Sequence, residues 1–88
     1  MAQLGADVEQ LDLLARKFDE EAQKIESTVS VINAQVQSTW WQGADAERFR
    51  NEWQTADTAA LRNVVQRLQA ASTDCRNQAS QQRQVSQT

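Results

Sequence analysis

The stretch Ser38-Thr39-Trp40-Trp41-Gln42-Gly43 decides the fold, because the apolar spacing on both of its sides is helical and the stretch itself belongs to neither pattern. Gly43 is one of two glycines, the only one in the chain's interior, and there is no proline. Glycine accepts positive φ and close backbone approach, so a reversal is predicted over about 40–44. Just beyond it, Asp45 and Glu47 put negative charge into what becomes a first helical turn, where the helix dipole favours it.

Upstream, the apolar residues are Leu4, Val8, Leu11, Ala15, Phe18, Ala22, Ile25, Val29, Ile32 and Val36, at alternating steps of four and three. A strand needs a period of two; this is a heptad, and its 3.5-residue period implies gentle left-handed winding against another helix. Asp7, with Gln10 three residues on, has the form of a capping box. The first helix is therefore predicted over about 7–39, a rod of roughly 50 Å at ~1.5 Å per residue.

Downstream, Ala46, Phe49, Trp53, Ala56, Ala60, Val64, Leu68, Ala71 and Cys75 form a second stripe, with a drift of one position between Ala60 and Leu68 that relaxes the winding there. The second helix is predicted over about 45–80. The Gln-rich tail from Asn77 to Thr88 has only Ala79 and Val85 as apolar residues, so packing is expected to fade past Arg76 and the end to fray.

Composition narrows the function. Eighty-eight residues make one small domain. Without His the usual general base and the commonest metal ligand are missing, and one Cys allows neither an internal disulfide nor a Cys-based zinc site. No enzyme activity, metal or cofactor is expected. A net charge of −3 makes nucleic acid a poor partner. Met1 to Glu9 has no basic start and no apolar core of signal-peptide length, and no stretch approaches the roughly 18 apolar residues of a membrane span. The charge is uneven: residues 1–39 hold seven acids and three bases, residues 40–88 five acids and six bases. Antiparallel packing sets an acidic rod beside a slightly basic one.

The fold expected is all-α: an antiparallel two-helix hairpin whose seam is packed by Leu11, Phe18, Ile25, Ile32, Trp53, Val64 and Leu68. Leu14, Leu61 and Val65 lie beside the stripes and widen them. One seam buries little surface for its length, and a wide stripe calls for a second apolar contact, so two hairpins are expected to pair into a four-helix bundle.

The tryptophans at the bend admit two readings. In one, the indoles only cover the open end of the seam. In the other, Trp40, Trp41 and Phe49 form a recognition surface, since adjacent tryptophans cannot both enter one seam and exposed Trp is frequent at binding hot spots. Cys75 reads as a small buried apolar residue, and Asp19, Glu20 and Glu21 as a solvated face. The tail is either a solvated helix end or a segment that orders on binding.

Trp41-Gln42-Gly43 at mid-chain, the long helical pattern on each side, the chain length and Phe49 after the motif together resemble the ESAT-six-like, or Trp-X-Gly, family of type VII secretion substrates of actinobacteria and related Gram-positive bacteria. The resemblance covers essentially the whole chain. It implies a hairpin that pairs with itself or with a homologous small hairpin, travels folded through a membrane export ATPase, and is cytoplasmic first and then secreted or cell-surface without a cleaved signal. It assigns Trp41 and Gly43 to the bend half of a composite export signal. The other half, Tyr-x-x-x-Asp/Glu, is absent, since the chain has no Tyr. A partner's tail, a shortened chain, or an element around Val85 accounts for that, and the partner's tail is favoured. The competing classes are a cytosolic adaptor for a larger toxin's helical leader and a membrane-active effector. The acidic first helix argues against membrane binding.

Overall fold

The computed structural model describes residues 5–87, and over them the protein is all-α. Met1 to Leu4 and Thr88 lie outside the described residues, and with them the first member of the upstream stripe. Helix α1 spans Val8–Ser38; after a short connection come α2, Ala44–Glu52, a π-helical turn, Trp53–Asp57, and α3, Thr58–Gln87. Asp7 caps α1 by accepting from the Gln10 amide at 2.9 Å. Arg76 pairs with Asp19 at 2.6 Å and Arg83 pairs with Asp12, so α3 runs antiparallel along α1. The extents, 67 × 19 × 17 Å, are those of a single helix pair with no third layer.

Small side chains make the contact. Ala15, Ala22 and Val29 on α1, and Thr58, Val65, Ser72 and Ala79 on α3, recur every seven residues, and all are buried. Ala15, Ser72 and Ala79 are 0 % exposed. Larger residues three or four positions away, among them Leu11, Phe18, Ile25, Leu61, Leu68 and Cys75, are only half-buried. Two helices alone close fully over small groups; bulkier ones reach past the seam.

The two flanks of that seam differ in chemistry. On one, Asp12 and Asp19 face Arg83 and Arg76. Arg76 also donates to the buried Ser72 hydroxyl, and Arg76 together with Ser72 holds the Asp19 carboxyl below the ordinary carboxylate range. The other flank is apolar. Leu14, Ile32 and Val64 are exposed on it, beside the half-buried Leu11, Phe18, Ile25, Leu61 and Leu68. Glu21, at the edge of that flank, is held by Lys24 at 3.1 Å and Lys17 at 3.8 Å.

Three sequence expectations change. Ile32 and Val64 do not close the seam; Asn33 takes the inner place on α1, and both apolar residues turn to the apolar flank. On the second helical stretch Ala56, Ala60 and Val64 are exposed, while Thr58, Leu61, Val65 and Ser72 face α1. The break in the pattern is therefore not a gradual drift over 60–68. It is the π-turn, after which steps of three and four alternate strictly from Thr58 to Ala79. Lastly, packing does not fade past Arg76, because Ala79 is buried and Arg83 is paired, and helical structure carries on to Gln87.

In the π-turn the backbone hydrogen bonds reach five residues back in place of four. The Thr58 amide donates to the Trp53 carbonyl, five residues back, rather than to Gln54. The Thr58 hydroxyl takes over the Gln54 carbonyl at 2.8 Å, and Thr55 donates to the Asn51 carbonyl at 2.7 Å. Thr58 is thus a buried polar residue with its hydroxyl used, as buried hydroxyls require. Among the described residues no buried side-chain nitrogen or oxygen lacks a partner.

Candidate functional site: an aromatic groove at the closed end

The connection between α1 and α2 is tied from both sides. Where α1 ends, the Gln35 carbonyl accepts from the Thr39 amide at 3.0 Å, the Thr39 hydroxyl at 2.6 Å and the Ser38 hydroxyl at 3.2 Å. From the α2 side, the Arg50 guanidinium donates to the Trp41 carbonyl at 2.6 Å and reaches the Thr39 carbonyl at 3.5 Å. Arg50 satisfies connection carbonyls that no helix can pair.

Gly43 starts α2, its carbonyl accepting from the Glu47 amide at 3.1 Å. Its φ of 119° and ψ of 175° fall in a region that side chains with a Cβ avoid. A Cβ there would meet nothing within 4 Å, so the requirement is conformational and the close approach expected of this glycine is not used. Gly43→Ala is expected to cost about 1–3 kcal/mol, the range for strained backbone, as a lowered urea midpoint with unchanged slope.

The aromatic residues then separate. Trp40 is 83 % exposed. Trp41 packs on Phe49, ring centroids 5.5 Å apart and planes tilted by 49°, a favourable offset for aromatic pairs. Both remain about two-fifths exposed, at 41 % and 43 %. With Ile32, Gln35, Val36, Thr39 and Arg50 they line an open groove of about 240 Å³ that continues the apolar flank to the end of the molecule. Trp53 belongs to the seam: its indole N–H donates to Asn33 Oδ1 at 2.5 Å and joins α1 to the start of the π-turn.

Of the residues singled out from sequence, Trp41, Phe49 and Ile32 meet in this groove, Gly43 stands at its edge, and Trp40 stays outside it. Leu11, Phe18, Ile25 and Leu68 lie along the seam, and Val64 on the apolar flank. Sequence reasoning missed Arg50, Asn33 and Thr58. Each is a polar residue at an inward position, and that placement is the signal that was there to be read: such a residue needs an internal partner.

Among the described residues no group of three His, Cys, Asp or Glu side chains could hold a metal ion, and no helix is long and apolar enough to cross a membrane. Comparison with protein-family models, with curated proteins and with solved structures finds no match to this chain.

Proposed function

We propose that this chain is a non-enzymatic type VII secretion substrate of the ESAT-six-like kind, paired through its apolar flank with a second hairpin and read at its bend by an export ATPase. One observation carries the reading: an apolar flank that the hairpin leaves open, continuous with the Trp41–Phe49 groove. A covering hairpin buries Leu14, Ile32 and Val64 at roughly 25 cal/mol per Å² and completes a four-helix bundle. The ion-paired flank does not ask for such cover, so assembly stops at two.

Trp41 is the recognition residue, Gly43 permits the backbone that presents it, and Phe49 and Arg50 hold it in place. The tail signal comes from the partner, since this chain has no Tyr. Trp41→Ala is expected to cut export at least tenfold while leaving the mass of the assembly and its helical circular dichroism unchanged. Normal export of that variant refutes the recognition role. Co-purification with a large protein's helical leader, in place of a small hairpin, turns the reading to an adaptor.

A further inference from the structure

We propose that the π-turn at Trp53–Asp57 is a positioning insertion: its one surplus residue sets how far α2 stands along α1, and so seats Trp53 on Asn33 and Phe49 on Trp41. The seam on the near side of the turn reads Ala46, Arg50, Trp53, at steps of four and three. The next step of four falls on Asp57, yet the residue that faces α1 is Thr58. An unbroken α-helix continued back from Thr58 would aim Gln54, Asn51 and Glu47 at α1. The π-turn takes up the difference, and the Thr58 hydroxyl covers the carbonyl it frees.

A chain one residue shorter would align both frames with no π-turn at all. The surplus residue is therefore not needed to bury the seam. What it changes is length along the axis, about 1.5 Å for one residue. Three contacts at the closed end are short enough to register such a shift: Trp53 to Asn33 at 2.5 Å, Arg50 to the Trp41 carbonyl at 2.6 Å, and the Trp41–Phe49 ring contact. A local departure from regular helix, kept where regular helix would serve the core, marks a place where position matters. Its use for recognition rests on the reading of the bend given above; its geometry does not.

The test deletes Ala56, an exposed residue of the turn, from the full chain, and follows the three indole N–H signals by NMR hydrogen exchange. The expected result is a helical protein that melts at or above the parent's temperature. In it, exchange of the Trp53 indole speeds up roughly tenfold, the worth of one ordinary hydrogen bond, and the ring-current shift between Trp41 and Phe49 is lost. Unchanged protection of the Trp53 indole overturns the proposal. Should the deletion fail to fold, one alanine inserted after Ala56 changes the same length in the other direction; faster Trp53 exchange then supports the proposal and unchanged exchange overturns it. Export is scored separately. A displaced Trp53 indole with normal export upholds the positioning role and overturns the recognition role of the bend.

Discussion

Val64→Asp is expected to turn paired hairpins into single chains. Val64 is 44 % exposed in the single hairpin and sits mid-way along the apolar flank. The proposed pairing takes that flank out of water. A carboxylate there loses its water on that pairing, and the cation one turn further along α3, Arg67, is an exposed residue three positions on. An unpaired charge buried in an interface costs several kcal/mol, and about 2.7 kcal/mol is already a hundredfold in dissociation constant. Light scattering across a concentration range should show mass falling from near twice 9.9 kDa toward 9.9 kDa. The matched control is Gln69→Asp on the ion-paired flank, which should leave the mass alone. If Val64→Asp still pairs as tightly as the parent, the apolar flank is not the interface.

The second large effect lies inside the hairpin. Ala22 is 1 % exposed, in the row of small residues through which α1 and α3 touch. Asp19 pairs with Arg76 one turn away, so Ala22 lies near the level of Ser72, which is fully buried. Ala22→Leu adds three carbons where there is no room. Overpacking of this kind costs about 1–3 kcal/mol or more, and each kcal/mol lowers the melting temperature of a domain this small by about 4–8 °C. A fall of roughly 10 °C or more is expected by calorimetry. Leu13→Ala removes a larger group from a site 61 % exposed and should change little. A parent-like melt for Ala22→Leu would mean that the helices can part without penalty.

These two sites show why part of the molecule was legible in its sequence and part was not. On α1, from Val8 to Val29, the apolar residues at alternating steps of three and four are the inward ones, so counting steps finds the face, even though Leu13 and Leu14 beside them are exposed. Gly43 announced the connection because its backbone conformation has so few occupants. On α3 the two properties separate. Ala56, Ala60 and Val64 are apolar and exposed, whereas Thr58 and Ser72 are polar and buried. A stripe drawn through apolar residues follows the exposed ones and crosses the true seam near Leu68. The π-turn left no local mark of its own; it appears only when the frame of Ala46, Arg50 and Trp53 is compared with that of Thr58, Leu61 and Val65. At the closed end the aromatic residues were visible, but the brace that holds them was not. Arg50 reads as a surface charge until the carbonyls of Thr39 and Trp41 are placed before it.

The small-residue seam also has a consequence for how long an unpaired copy is expected to survive in a cell. Contacts through Ala, Val, Ser and Thr bring two helices close but withdraw little apolar area from water, so a lone hairpin is expected to open more readily than one closed over bulky side chains. Proteases act on the opened form, and its population, not the rate of synthesis, then sets abundance. A companion that binds only the closed form suppresses opening by mass action. On the pairing proposed above, copies made in excess of the companion are expected to be cleared faster than paired ones, so that turnover itself sets the stoichiometry.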